Sequence, residues 1–228
     1  MADILLRLRI NYTKEGRLRF LSHLEISRAL ERLVRRANLP YAISQGFNAH
    51  MRFASGPALP VGTEGIDEYF DVFLAEYVVP EEAQLRLQAA TVEWIRIISV
   101  DYADMKSKGL QATHRYETYL VAVESPEVSA LELENCLHDI IVKGTITKFK
   151  RGIQKNYDLL KIIKGPSCVQ VLSANDLKLV LIKLKTGEEG SVRPEDVIES
   201  ALVERTDWRI RLVTRIRLAE TPDLDNTV

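Results

Sequence analysis

The chain has 228 residues, 46% of them hydrophobic and 28% charged, with a formal net charge of −1, the composition of an ordinary globular protein with one large or two small domains. No apolar run approaches the roughly 18 residues of a membrane-spanning helix, and Arg7 and Arg9 break the N-terminal apolar stretch where a signal peptide would need its core, so the expectation is a cytoplasmic protein with no membrane partner. Two cysteines, Cys136 and Cys168, cannot build a disulfide framework, a four-cysteine zinc site or the cysteine cluster of an iron–sulfur centre. Both read as small buried hydrophobes, and no metal or cofactor is expected.

In chain order, residues 4–12 alternate Leu6, Leu8 and Ile10 with Arg7, Arg9 and Asn11, the period of a half-buried strand. A turn at Lys14-Glu15-Gly16 follows. Ser22-His23-Leu24-Glu25 is a capping box, in which the Ser22 hydroxyl and the Glu25 carboxylate satisfy the first free amides of a helix. That helix runs to about Ala37, with Ile26, Ala29, Leu30, Leu33, Val34 and Ala37 on one face and Arg28, Arg32, Arg35 and Arg36 toward solvent; Asn38 and Pro40 end it. Short extended segments at 41–44 and 51–54 flank a loop at 45–50. A proline- and glycine-rich connection (57–65), a strand (66–74), a helix opening at Pro80 and reaching about Ala90, and a strand at 92–100 complete the first half.

Strand, helix, strand, strand, helix, strand is the order of a ferredoxin-like unit, expected over residues 1–103. Residues 104–114 are polar and read as a linker. The second half, 115–220, repeats the order loosely. It has a strand at 116–123, a helix starting at Ser125-Pro126-Glu127 and ending near Ile140, and strands at 169–172 and 177–184. A helix from Arg193-Pro194-Glu195-Asp196 through Val203 precedes a last strand at 208–218, whose alternation slips near Thr214 as at a bulge. The expected fold class is α+β: two tandem ferredoxin-like (βαββαβ) halves with antiparallel sheets, the second elaborated by an insertion at about 144–168 and followed by a tail at 221–228.

The near-zero net charge conceals concentration. Residues 1–60 hold ten basic side chains against four acidic ones, and residues 143–164 hold seven against Asp158 alone. Each segment therefore carries an excess of six positive charges over a strongly acidic remainder, a weak signal for anion binding that a merely solvated basic face would also give.

Two polar blocks hold the residues with chemistry to offer: Arg17, Arg19, Ser22 and His23 at the start of the first helix, and Ser44, Gln45, Asn48, His50 and Arg52 around the 45–50 loop. Brought together, they would form a substrate- or anion-binding pocket for phosphate or carboxylate at a helix N-terminus. His23 and His50 are the candidate catalytic residues, a general acid and base for phosphodiester cleavage, but no third group is fixed beside them. Glu25 reads as a capping residue and Glu64 as part of an exposed loop. A second basic patch comprises Lys148, Lys150, Arg151, Lys155 and Lys161. Phe47 and Phe53 beside the basic loop either stack on bases or belong to the core. No phosphate-loop, dinucleotide or metalloprotease motif is present.

The segment GRLRFLSHLEISRALERLVRRANLPYAISQGFNAHMRFASGPALPVGTEGIDEYFDV, residues 16–72, resembles the leading segment of the radical-SAM-linked protein family, a bacterial domain of unknown function. The resemblance continues through Tyr157-Asp158-Leu159-Leu160-Lys161 and Gly190-Ser191-Val192-Arg193-Pro194-Glu195-Asp196. The family pattern falls on Ser22, His23, Ser44, Gln45, Gly46, Phe47, Asn48, His50 and Glu68, and it departs at Ala49 and Met51, where the family carries proline.

The resemblance implies a partner encoded beside or fused to a radical SAM enzyme, often near genes for large-subunit ribosomal proteins and a ribonuclease, and it brings no established activity with it. The expected function is an accessory protein of a radical SAM enzyme, binding an RNA or ribosomal substrate through basic surfaces and not an enzyme by itself. The alternatives are an RNA-processing enzyme using His23 and His50, and a protein-only interaction module.

Overall fold

Strand β1 (Leu6–Lys14) turns Leu8, Ile10 and Tyr12 into a buried layer. It pairs antiparallel with β3 (Thr63–Leu74) and β4 (Ile97–Ala103), and β3 also pairs with the short β2 (Phe53–Ser55), giving the order β4-β1-β3-β2. The computed structural model describes residues 5–150, 153–174, 177–186 and 192–220. The chain divides into two compact units, Met1–His114 and Arg115–Val228, each mixed α+β with antiparallel strands. No helix among the described residues is long and apolar enough to cross a membrane.

In the first unit, α1 (His23–Arg36) buries Ile26, Leu30, Leu33 and Val34, and α2 (Pro80–Ala90) buries Ala83 and Leu87, against Leu8, Ile10, Phe70, Val72 and Leu74. Each such large side chain contributes about 1.5–3 kcal/mol on burial, so the three- and four-residue spacing of the apolar positions selects the face that α1 presents to the sheet. Its start is fixed by the capping box: Ser22 N–H and Oγ–H donate to Glu25 Oε2 at 2.8 and 2.7 Å, and Glu25 N–H donates to Ser22 Oγ at 3.4 Å.

The opposite face of this sheet is not left to water as a half-buried strand would leave it. Asp71, fully buried, accepts from Arg7 Nε at 2.6 Å and Arg9 Nε at 2.9 Å, and Arg7 also donates to the carbonyls of Ser107 and Lys108. His114 stacks on Tyr69 with ring centroids 5.1 Å apart. Residues 104–114, expected as a linker, thus cover the charged face and carry a short helix, α3 (Leu110–Thr113), whose Leu110 is buried.

Residues 92–96 do not join the strand expected at 92–100. Trp94 takes a positive φ of 67°, Glu15 N–H donates to Trp94 O, and β4 begins only at Ile97. Gly16 accommodates this turn: its φ is +55°, and a Cβ there would lie 2.7 Å from the Trp94 ring.

The second unit has the order β10-β5-β9-β8, from β5 (Tyr116–Glu124), β8 (Val169–Ala174), β9 (Leu177–Lys185) and β10 (Arg209–Ala219). Helices α4 (Ala130–Lys143) and α6 (Pro194–Ala201) supply Leu133, Leu137, Ile141, Val197 and Ile198 to its core. Register shifts between Ile210 and Leu212 and between Arg215 and Arg217 mark bulges in β10, either side of the expected slip at Thr214.

Helix α4 starts later than Ser125-Pro126-Glu127, because Ser129 is its cap, accepting from Glu132 N–H at 3.1 Å, while Ser125 is buried and its carbonyl accepts from Lys178 Nζ. Within 144–168 lie an antiparallel hairpin, β6 (Thr145–Lys150) and β7 (Ile153–Asp158), and the short α5 (Leu159–Ile162). Both cysteines are only half-buried, which corrects their reading as buried hydrophobes; Cys168 packs against the edge of the core. The expected tail at 221–228 lies outside the described residues.

Candidate functional site

The two polar blocks have different surroundings, all within the first unit. In the first block, Arg17 lies over the Trp94 ring, its Cζ 5.8 Å from the centroid, and Arg19 pairs with Glu64 at 3.3 Å and lies over Phe20. Glu64 is therefore not part of an exposed loop: it sits in β3, shielded, and also accepts from Gly16 N–H at 2.9 Å. Ser22 is engaged as a helix cap, and its hydrogen bonds to Glu25 hold that carboxyl below the usual carboxylate range.

His23, at the first position of α1, lines a narrow cleft with Tyr12, Lys14, Glu68 and Tyr69. Lys14 and Glu68 are almost completely buried. Lys14 Nζ donates to Leu21 O at 3.0 Å and Arg19 O at 3.4 Å, so an ammonium group tethers the segment that leads into α1. The Glu68 carboxylate lies directly over Gly65, where an added Cβ would come within 2.4 Å of Oε1. The cleft measures about 290 Å³ including its open mouth, yet its interior has room for about one water molecule. Burial of the Tyr69 phenol and its hydrogen bond with Asp67 push its pKa up to about 12.

Reading residues by charge alone misses the burial of Lys14 and of Glu68 in this cleft. The sequence puts Lys14 in an expected turn, but it continues the period-two series Leu8, Ile10, Tyr12, and Glu68 precedes Phe70 and Val72 on the inward face of β3. A charged residue in phase with a core face is the signal that could have found them.

The second block forms a closed loop. Ile43 and Met51 form a bridge, and Ser44 N–H donates to His50 O at 2.8 Å while His50 N–H donates to Ser44 Oγ at 3.1 Å. His50 Nδ1 lies 2.9 Å from Ser44 Oγ and 3.0 Å from Asn48 O. His50 Nδ1, the His50 amide and the Ser44 and Asn48 oxygens together tie the two ends of the loop. Gln45, Asn48 and His50 are exposed, and Phe47 is exposed completely. Phe53, by contrast, stacks on Phe70 at 5.3 Å beside the core. Arg52 lies over the Phe73 ring at 5.1 Å.

On α1, Arg28, Arg32 and Arg35 point away from the core, with Arg28 and Arg35 exposed and Arg35 within 3.5 Å of Glu31, and Arg36 donates to Ala90 O. In the second unit, Lys148 pairs with Glu199 at 2.6 Å and lies 3.7 Å from Asp196, both on α6. Lys155 and Lys161 are exposed. The Lys150 side chain and Arg151 lie outside the described residues. Among the described residues no three His, Cys, Asp or Glu side chains cluster to hold a metal ion.

Comparison with curated proteins found no match. Among solved structures, the chain is similar to one from a Cbf5-Nop10-Gar1 complex, with a TM-score of 0.51 and 10% identity over 92% of this chain and 48% of that one. It also matches a chain of the archaeal box H/ACA sRNP Nop10-Cbf5 complex (TM-score 0.48, 10% identity, 93% and 48% of the two chains). A third match comes from an H/ACA RNP bound to a substrate RNA containing 2'-deoxyuridine (TM-score 0.43, 10% identity, 93% and 47%). The chain spans about half the length of these structures, and at such identity the likeness to the first is one of fold alone. In sequence, residues 7–194 match a family model, and the chain belongs to that family, described as "Uncharacterized protein conserved in bacteria (DUF2344)".

Proposed function

We propose that this protein is a non-catalytic accessory module that binds RNA through the guanidinium face of α1. The observation that carries the reading is the array of Arg28, Arg32 and Arg35 on the side of the helix away from the core, spaced along one helix as groups that neutralise successive phosphates are. Lys155 and Lys161 of the second unit extend the same reading to the second basic patch. The resemblance of residues 16–72 to the radical-SAM-linked family supplies the partner: a radical SAM enzyme to which this chain presents an RNA or a ribosomal component. The strand orders β4-β1-β3-β2 and, with the β6–β7 hairpin set aside, β10-β5-β9-β8 support reading both units as ferredoxin-like.

The test is fluorescence anisotropy of a labelled single-stranded RNA titrated with protein over a range of salt. Binding is expected to weaken steeply as salt rises, and Arg28→Gln/Arg32→Gln/Arg35→Gln is expected to flatten the log–log slope by about two, at roughly 0.7 for each phosphate no longer neutralised. RNA binding that ignores salt, or no binding at all, overturns the reading. Cleavage of the RNA that disappears in His50→Ala would replace it with the enzyme alternative. Co-expression with a radical SAM enzyme encoded beside it tests the partner, a stable complex being the expected result.

A further inference from the structure

Phe47 is more exposed than a phenylalanine in an extended peptide, at 112% relative accessibility. Single exposed hydrophobes are common on protein surfaces, but this one stands at the tip of a loop whose ends are tied by hydrogen bonds among Ser44, Asn48 and His50, above a bridge whose Met51 is buried in the core. Its neighbours Gln45 and Asn48 are exposed amides, each able to donate and accept at once. No aspartate or glutamate occurs between Glu31 and Glu64, whereas Arg32, Arg35, Arg36 and Arg52 do.

From this geometry we infer that the 44–50 loop is a reading head for one unpaired RNA nucleotide: the base stacks on the Phe47 ring, and the Gln45 and Asn48 amides engage its edge. The inference rests on the RNA-binding reading above and adds to it the form of RNA recognised, single-stranded and not duplex. The loop is closed before a ligand arrives, so little ordering cost attends the stacking. An aromatic face is a stacking platform for any base, while amide side chains match the donor and acceptor pattern of a base edge. The alternative occupant of an exposed phenyl ring is an apolar pocket on a protein. The unbroken absence of acidic side chains across 32–63 and the flanking amides favour a polyanion with polar edges.

The experiment uses the whole chain and a short oligouridylate carrying a single 2-aminopurine, whose fluorescence falls when it stacks on an aromatic ring. Binding to the wild-type protein is expected to quench the probe. Phe47→Ala is expected to abolish the quenching and weaken affinity about tenfold with an unchanged salt slope, and Phe47→Trp to restore both. Affinity for the same strand annealed to its complement is expected to be indifferent to Phe47→Ala.

Two results overturn the stacking inference alone: wild-type binding with equal quenching and affinity in Phe47→Ala, or RNA binding untouched by Phe47→Ala while the complex with the co-expressed radical SAM enzyme disappears. If the wild-type protein binds no RNA at any salt, the RNA-binding reading itself fails and the inference falls with it. Phe47 stands outside the core, and circular dichroism is expected to be identical in all three proteins.

Discussion

Residues 1–60 and residues 143–164 carry the same excess of six positive charges, and their side chains meet different surroundings. In the first segment the charges are sorted. Arg7 and Arg9 are consumed by the buried Asp71, Lys14 by backbone carbonyls and Arg19 by Glu64, while Arg28, Arg32 and Arg35 of α1 stay on its outer side. In the second, Lys148 is drawn to Glu199 and Asp196 of α6, and Lys164 lies over Tyr116 at 5.5 Å. Lys155 stands directly opposite Lys148 in the hairpin register, where a like-charge pair is unfavourable unless one member is neutralised. Net charge per segment therefore overstates the likeness. Acids from elsewhere in the fold reach bases in both; what distinguishes the two is that the first also keeps Arg28, Arg32 and Arg35 along one outer helix face, whereas Lys148 and Lys155 of the second face each other across a hairpin.

The largest effect is expected where the first segment internalises its charge. Asp71→Ala removes the carboxylate from between two guanidinium groups and leaves Arg7, with its side chain 6% accessible, as an unpaired buried cation. The expected loss is about 3–5 kcal/mol, read as a lower urea midpoint. An Asp71→Ala protein as stable as wild type would mean that Arg7 escapes to water and that the first segment is no more internalised than the second.

Next in size is the split between capping and binding within the first block. Ser22→Ala is expected to cost about 1 kcal/mol in denaturant melts and to leave RNA affinity unchanged, since its hydroxyl is spent on Glu25. The sign with pH follows from Glu25, whose carboxyl those hydrogen bonds hold below its ordinary range. A depressed carboxyl stabilises above its unfolded pKa, and that contribution fades as pH falls through the folded value. The difference between Ser22→Ala and wild type should therefore narrow in acid.

A smaller effect is expected at Glu195 on α6, the helix that neutralises Lys148. Burial raises its pKa, and its Oε2 has no hydrogen-bond partner among the described residues. A raised carboxyl favours the folded state below its unfolded pKa, and that advantage fades as pH rises through the folded value. Glu195→Gln is therefore expected to melt slightly above wild type at neutral pH, with the two converging in acid.

These contrasts also mark what the chain order reveals. The start of α1 is legible because Ser22 and Glu25 lie three residues apart and meet through local hydrogen bonds, and the apolar spacing of Ile26, Leu30, Leu33 and Val34 then orients the helix. The strands are legible from alternation, but alternation assigns charged residues to solvent. The burial of Arg7, Lys14 and Asp71 depends on partners beyond their own strands: Ser107 and Lys108 over one face, Arg19 and Leu21 at the end of β1. The β6–β7 hairpin is hidden for a related reason, since lysines, threonines and other polar residues dominate it and give little apolar period. Phe47 and Phe53 flank one loop and look alike in sequence. Only the pairing of β2 with β3, which stacks Phe53 on Phe70, separates the core ring from the exposed one.

The smallest expected effect tests the comparison most directly, because it seeks to make the second segment behave like the first. Glu199 holds Lys148 at 2.6 Å and is itself half exposed, so Glu199→Gln should change stability by less than about 1 kcal/mol. Asp196, at 3.7 Å, remains as a weaker partner with its other oxygen accepting from Arg193 N–H at the start of α6. With Glu199 neutral, Lys148 stands beside Lys155 without its nearest anion, and a phosphate becomes the available counter-charge for both. Affinity for single-stranded RNA is then expected to rise about two- to threefold at low salt, with the salt slope steeper by roughly 0.7, the share of one phosphate. An unchanged slope would show that the hairpin lysines do not face the RNA, and would confine binding to α1 and the 44–50 loop.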